Sequence, residues 1–321
     1  MDPNAVLVGD VGGTSVRFAL AHCDQHEISI DHFEKLPGDD FTCFEDAIDL
    51  YLSHQGVQPK AALFALAGPV TDGEVCLTNR PWCITTNALQ NKFGFDQATL
   101  VNDFAAMARS VPELGDEHLT DIIAGDLKLD QPVLIAGAGT GLGIAALIPL
   151  GNRHWHVLSG EGGHAAFKPQ TSRDFALHHL LEEQYGYVSA ELICSGIGLE
   201  PVHRGLCTLS GVPFEPMTPA EILTAADNGD EISQEICSLR ARTILAAAGD
   251  AALMVGATGG VVLAGGISSR LEDYLKSADS LGSFFERGPR RDYMSRIPIK
   301  LISYETAPLI GAAALYFEQE D

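Results

Sequence analysis

Positive charge is scarce in this chain. Of 321 residues only 20 are Lys or Arg, against 43 Asp or Glu, a formal charge of −23. Nucleic-acid binding rests on cations that neutralise phosphates, so an acidic chain needs a local basic patch for it. The densest basic run, Arg287 to Arg296 with Arg290 and Arg291 adjacent, is too slight. Long apolar runs are also missing, each being broken by Gly or charge before the ~18 residues of a membrane span. No CxxC pair occurs among Cys23, Cys43, Cys76, Cys83, Cys194, Cys207 and Cys237. An odd number of scattered cysteines reads as reduced, mostly buried thiols of a cytoplasmic protein. The opening MDPNAVLVGD has no basic n-region, so no signal peptide is expected. No Gly-Lys dipeptide exists, which excludes a Walker A loop, and Gly137, Gly139 and Leu142 miss the GxGxxG spacing.

What is present suits a folded α/β protein. Apolar residues make up 46% and charged residues 20%, a balance that buries real cores. The length corresponds to about two domains at ~150 residues each. Glycine, 33 residues, is frequent enough to expect many tight turns or close backbone approaches.

The N-terminal pattern predicts a βββα opening. Val6 to Val8 leads into a glycine turn, Val16, Phe18 and Leu20 alternate after it, Ile28 to Leu36 forms a third strand, and Phe41 to Leu52 a helix. Ala61 to Ala67 and Glu74 to Thr78 read as short strands. Leu100 to Asn102 ends another, followed by an Ala-rich helix from Asp103 to Val111 that Pro112 stops. The acidic stretch Glu113 to Gln131 marks a domain boundary at its start. Beyond it LVGDVGGTSVRFAL, from Leu7, is echoed 127 residues later by LIAGAGTGLGIAAL, from Leu134.

The second half is helix-rich: Ser172 to Tyr185, Ser189 to Cys194, Gly196 to Leu206, Thr218 to Asp227 and Asp230 to Val255. Gly260 to Ala264 is a buried-type strand, Ser268 is placed at the opening of a helix, and Ile299 to Ser303 is the last strand. Pro308 is expected at the first position of a closing apolar helix, Leu309 to Phe317.

Several clusters have chemistry available to them. The glycine turns at Asp10 to Thr14 and Gly137 to Gly143 either cradle a phosphate on backbone N–H groups or simply close hairpins. Asp10 is the carboxylate for Mg²⁺, or else a cap for its own turn. Asn102 and Asp103 lie where a strand hands over to a helix. There Asp103 either caps that helix or accepts a hydroxyl proton in phosphoryl transfer. Glu161 and His164, separated by two glycines, form a donor and acceptor set suited to a polyol, or are ordinary loop residues. Glu191, in SAELICSGIG, is either a first-turn helix carboxylate or part of that set. Gly265 and Gly266 turn the chain after a buried strand or approach an adenine or ribose. The loop Asn79, Arg80, Pro81 and Trp82 is read as core packing.

Taken in order, GDVGGT at Gly9 to Thr14, NDF at Asn102 to Phe104, GAGTGLG at Gly137 to Gly143, GEGGH at Gly160 to His164 and AGG at Ala264 to Gly266 resemble bacterial glucokinases. These are relatives of the ROK sugar kinases, and the resemblance runs from Val6 to the last helix. It implies an actin-like, ribonuclease-H-like α/β fold with two lobes around a central cleft. Residues 1–112 completed by the C-terminal helix 303–321 would form the small lobe, and 113–302 the large one. Asp103 would be the general base toward the sugar 6-hydroxyl. Asn102, Glu161, His164 and Glu191 would grip the other hydroxyls of D-glucose, which would draw the lobes together. Gly9, Asp10, Val11, Gly12, Gly13 and Thr14, with Gly137, Gly139, Thr140 and Gly141, would hold the phosphates of ATP with Mg²⁺ at Asp10, and Gly265 and Gly266 would lie near the adenosine. A homodimer is implied as well, without nucleic-acid or membrane partners. The cysteine-rich zinc motif of many ROK proteins is missing, so no zinc is expected. A kinase for mannose, fructose or an N-acetylhexosamine stays open, as does a non-enzymatic sugar-sensing regulator. An assembly ATPase would share the phosphate turns but has no use for GEGGH.

Overall fold

Strand alternation sets the first core. In β1 (Val6–Val11), Val6 and Val8 face one way while Leu7 and Val11 face the other, and both faces are buried. β2 (Ser15–Asp24) and β3 (Glu27–Pro37) follow as antiparallel hairpins, and α1 (Phe44–Gln55) ends on Gly56 in the left-handed conformation. β4 (Ala61–Leu66) and β7 (Gln97–Asn102) add in parallel, giving a five-stranded sheet in the order β3-β2-β1-β4-β7. Between them lie the small hairpin β5 (Glu74–Cys76) and β6 (Cys83–Thr85) and the helix α2 (Thr86–Phe93). α1 and α2 cover the face with Leu7, Phe18 and Phe64. α3 (Asp103–Ser110) covers the other face together with the last helix, α13 (Ala307–Glu320).

The structure, a computed structural model, describes residues 5–12, 15–77 and 80–320. Two compact units emerge. Unit 1 comprises residues 1–117, 152–157 and 304–321, and unit 2 residues 118–151 and 158–303.

A six-stranded sheet, ordered β11-β10-β9-β12-β13-β8, is built from β8 (Leu119–Ile123), β9 (Val133–Ala138), β10 (Leu142–Gly151), β11 (His154–Gly160), β12 (Gly260–Ala264) and β13 (Ile299–Ile302). Its helices are α4 (Ser172–Tyr185), α5 (Ala190–Cys194), α6 (Leu199–Ser210), α7 (Pro219–Asp227) and α8 (Glu231–Val255), then the shorter α9 (Gly266–Arg270), α10 (Glu272–Leu275), α11 (Ala278–Phe285) and α12 (Arg291–Met294). Their starts follow from local chemistry. Thr171 and Thr218 form capping boxes with Asp174 and Glu221, and Asp230 accepts the Ser233 N–H to open α8.

The 127-residue echo is a real structural repeat. β1 and β2 begin at Val6 and Ser15, β9 and β10 at Val133 and Leu142, and both sheets follow the same order around them. Several expectations need correction. Cys76 and Cys83 stand opposite each other on β5 and β6 and form a disulfide, so the seven cysteines are not all thiols: strand register brings together residues whose spacing gave no sign of it. Of the five free cysteines, Cys194, Cys207 and Cys237 are buried, and burial pushes the Cys194 thiol up to about 12. Ser268 does not open a helix. It lies buried within α9, where its Oγ accepts the Ala138 N–H. Pro308 takes the second helical position of α13, where its missing N–H is still harmless. α6 begins at Leu199 rather than Gly196, and the acidic stretch after Glu113 contains β8, a strand paired antiparallel to β13.

Candidate active site

At the first glycine turn, Asp10 is a buried strand residue whose Oδ2 accepts from Arg17 Nη1 at 2.6 Å. β1 and β2 place the two directly opposite each other. Burial raises the Asp10 pKa above its usual value, and the Arg17 charge and hydrogen bond oppose that rise. A buried carboxylate whose charge is only partly compensated is a fitting anchor for a hard cation, since Mg²⁺ needs one or two protein carboxylates besides phosphate and water. Arg17 Nε in turn lies 3.6 Å from Glu305, which also pairs with Lys35 at 2.6 Å. Gly9 and Val11 belong to β1 itself. A Cβ on Gly9 would press on Phe64 and Phe18, so packing alone explains the glycine, and Val11 is wholly buried. A Cβ on Gly12 would meet the Ser15 carbonyl at an ordinary 3.6 Å, and the Gly12 N–H donates to that same carbonyl. Gly13 and Thr14 lie outside the described residues.

The end of β7 separates two roles that sequence reasoning left merged. Asn102, not Asp103, caps α3: its Oδ1 accepts from the Phe104 and Ala105 N–H groups at 3.0 and 3.1 Å, and its Nδ2 donates to the Gly68 carbonyl at 3.2 Å. Asp103, the first helical residue, is half-buried, and its Oδ1 accepts the Phe104 N–H at 2.8 Å. Asp103 is therefore not needed as the cap. Asn102, in contrast, is largely committed to the backbone.

In unit 2 the second turn spans Gly139, Thr140 and Gly141 and closes on itself, with the Gly139 N–H donating to the Gly141 carbonyl at 2.8 Å. Gly137 lies within β9 opposite Gly143. Glu191, near the start of α5, accepts the Leu142 N–H on Oε2 at 2.8 Å. A Cβ on Gly141 would sit 2.5 Å from that oxygen, so glycine is required for the carboxylate to approach. The other oxygen, Oε1, is 3.7 Å from His164 Nε2. Glu161 and His164 bracket a 3₁₀ turn after β11. Both are exposed, and the Tyr187 hydroxyl donates to the His164 carbonyl at 2.8 Å. A Cβ on Gly163 would collide with the Leu142 carbonyl, so GEGGH is also packed against the glycine turn. The structure thus brings Glu191, His164 and the 139–141 turn together within one unit.

Gly265, at φ +89°, lies beside the Ala138 carbonyl, where no side chain fits, while Gly266 faces open space. Trp82 packs in the core as expected, its Nε1 donating to the Thr42 carbonyl at 2.9 Å. Asn79 lies outside the described residues. Among the described residues one group has metal-ligand proximity, Glu74 with Cys76 and Cys83, and its two sulfurs are spent in the disulfide. Sequence reasoning missed Arg17, although its place in VGGTSVRF directly opposite Asp10 across a predicted hairpin was a usable signal. It also missed Arg240, which holds the end of α5 and had no motif to mark it.

The glucokinase family profile matches residues 7–319. A curated glucokinase of Nitrobacter hamburgensis is 35% identical over 97% of this chain and 97% of its own. The crystal structure of a glucokinase from an Antarctic psychrotroph superposes with a TM-score of 0.84 at 32% identity, covering 97% and 98% of the two chains. A ROK family glucokinase from Streptomyces griseus, at 19% identity and a TM-score of 0.66 over 97% and 98%, shares the fold, the actin-like ATPase fold of these kinases. With its paired glycine hairpins and the GEGGH turn packed against one of them, this chain belongs to the glucokinase family.

Proposed function

We propose that the protein transfers the terminal phosphoryl group of ATP to the 6-hydroxyl of D-glucose, giving glucose 6-phosphate and ADP. The observation that carries this reading is the match to glucokinases over 97% of this chain, at about a third identity. In the same reading the two units are the small and large lobes, the setting is cytoplasmic and the enzyme is a homodimer.

Each unit contributes different chemistry. Asp103 accepts the proton of the 6-hydroxyl as the oxygen attacks phosphorus. Its place beside, rather than at, the helix cap supports that role, because Asn102 already accepts from the Phe104 and Ala105 N–H groups. Glu161, His164 and Glu191 bind the remaining hydroxyls. A carboxylate has about four lone-pair positions, so Glu191 retains acceptor capacity after binding the Leu142 N–H. Asn102, with its side chain held by backbone on both ends, contributes to sugar binding chiefly by fixing α3. The two glycine turns would hold phosphate, with Gly13 and Thr14 assigned there from the motif. The Gly12 and Gly139 N–H groups donate within their own turns, so in the second turn Thr140 and Gly141 supply the backbone donors, and Asp10 would hold Mg²⁺. Bound Mg²⁺ neutralises charge that builds on the phosphoryl oxygens in transfer. Gly265 and Gly266 make room beside the adenosine.

A coupled ADP-release assay across a panel of hexoses tests the reading. Glucose is expected to give the highest kcat/KM, with sugars lacking a hydroxyl that Glu161 or His164 binds strongly disfavoured. ADP release without any sugar dependence would make the chain an ATPase. A preference for mannose, fructose or an N-acetylhexosamine would move the substrate and leave the site residues in place.

A further inference from the structure

Arg240 is buried in the middle of α8, in the core of unit 2. Among the described residues no carboxylate pairs with it. It donates instead from Nε to the Cys194 carbonyl at 3.2 Å and from Nη2 to the Ser195 carbonyl at 2.7 Å. Those carbonyls lie at the end of α5, whose own first turn carries Glu191. A five-residue helix has little stability of its own, and its last carbonyls lack intrahelical partners. A cation spanning two of them holds the end in place.

The next two residues reach the glycine turn. The Gly196 N–H donates to the Gly139 carbonyl at 2.8 Å and the Ile197 N–H to the Thr140 carbonyl at 3.3 Å. At the other end of the same short helix, Ser189 Oγ caps the Leu192 N–H, and Glu191 binds Leu142 and faces His164. One segment, 189–197, therefore touches both the turn assigned to phosphate and the residues assigned to sugar. Arg240 hydrogen-bonds its far end from the long helix. A buried guanidinium is costly unless its donors are satisfied, so a site that retains one for backbone carbonyls alone gains geometry rather than an ion pair.

We propose that Arg240 is a positioning residue that locks the end of α5 and the 139–141 turn into one piece, so that glucose and nucleotide binding to unit 2 are energetically coupled. The proposal rests on the assignment of Glu191 to sugar and of the turn to phosphate. Coupling of this kind is reciprocal: each ligand tightens the other by the same factor.

The test is calorimetric binding of a non-hydrolysable ATP analogue with Mg²⁺ to the full chain, with and without saturating glucose. Wild type is expected to show tightening of about fivefold or more. Arg240→Lys keeps the charge but cannot reach both carbonyls in one plane, and is expected to bring that factor below about two while raising KM for both substrates. Gly196→Ala keeps Arg240 and places a Cβ 3.3 Å from the Gly139 carbonyl, so it should weaken the coupling without removing the buried cation, and it carries the test should the Arg240 variant fail to fold. Wild-type coupling and unchanged KM values in Gly196→Ala and in a folded Arg240→Lys would overturn the proposal, as would a loss confined to kcat at constant KM, which a smaller folded fraction explains. Glu191→Gln, assayed alongside, separates the two levels. An unchanged glucose KM there removes the sugar assignment itself and the proposal with it. A raised one, with coupling intact in the other two variants, leaves the assignment and removes Arg240.

Discussion

The two glycine hairpins share a topology and differ in charge. In the first, Asp10 and Arg17 face each other across β1 and β2, and in the second the corresponding strand pair is Gly137 and Gly143. The first turn leaves four residues between its closing pair, Val11 and Val16. The second leaves three, between Ala138 and Leu142. The first hairpin thus carries its carboxylate within the strand, with a counter-charge beside it. The second is bare backbone, and its carboxylate comes from outside, from Glu191 on α5. Duplicated scaffolds need not duplicate their chemistry. One copy is equipped to hold a cation, the other to let a helix borne above it do the contacting.

The strongest way to break this division lies just beyond the first sheet. Asp103→Asn preserves shape and the Phe104 N–H contact but not basicity, and kcat is expected to fall by at least ~10²-fold with glucose affinity retained. Near wild-type turnover would move the proton acceptor elsewhere. The hairpin pair itself can be broken from each side. Asp10→Asn can still accept from Arg17 but offers no charge to a cation, and should raise the KM for Mg²⁺-nucleotide by about tenfold with little change in glucose KM. Arg17→Met strands a buried carboxylate. Because Arg17 is itself 24% exposed, its loss is expected to cost about 2–3 kcal/mol in denaturant unfolding, somewhat under the usual figure for a fully buried pair. Equal effects of the two substitutions on stability would mean that the pair is structural on both sides.

How far these features were legible in the sequence depends on whether they are local. β1, β2 and their echo were legible because alternation and glycine turns are written in consecutive residues, and α4, α7 and α8 because their caps, Thr171, Thr218 and Asp230, stand next to their first turns. Motif order singled out Asp10, Asn102, Asp103, Glu161, His164 and Glu191 as candidates. It did not show that Asn102 rather than Asp103 is the cap, since both residue types serve and only backbone geometry chooses between them. Contacts set by register or by packing of distant segments were illegible. Cys76 meets Cys83 only once β5 and β6 pair, β8 is five residues inside an acidic stretch and is fixed as a strand by its pairing with β13, and Arg240 is 45 residues from the carbonyl of Ser195 that it holds.

A smaller effect would sharpen the contrast between the units. Between β11 and β12 unit 2 inserts five helices, where unit 1 has only α1 between β3 and β4. Within that insertion α6 buries His203, the one buried histidine among the described residues, with its ring 5.1 Å from that of Phe214. Burial lowers the His203 pKa from its ordinary value near 6.5, and the nearby Asp230 opposes this. The folded chain therefore resists protonation that the unfolded chain accepts, so the unfolded state binds more protons below about pH 6.5 and stability falls with pH there. The contribution is fully present above that pH and is lost as pH drops through the lowered folded value. His203→Gln removes the titration. Its melting temperature should fall less steeply than that of wild type between pH 6.5 and 5, whatever the offset between the two proteins at pH 8. Parallel curves over the whole range would show that the histidine titrates alike in the folded and unfolded states. The acid sensitivity of the chain would then have to arise from other groups, such as Glu221 and Asp230, whose hydrogen bonds at the starts of α7 and α8 lower their pKa values.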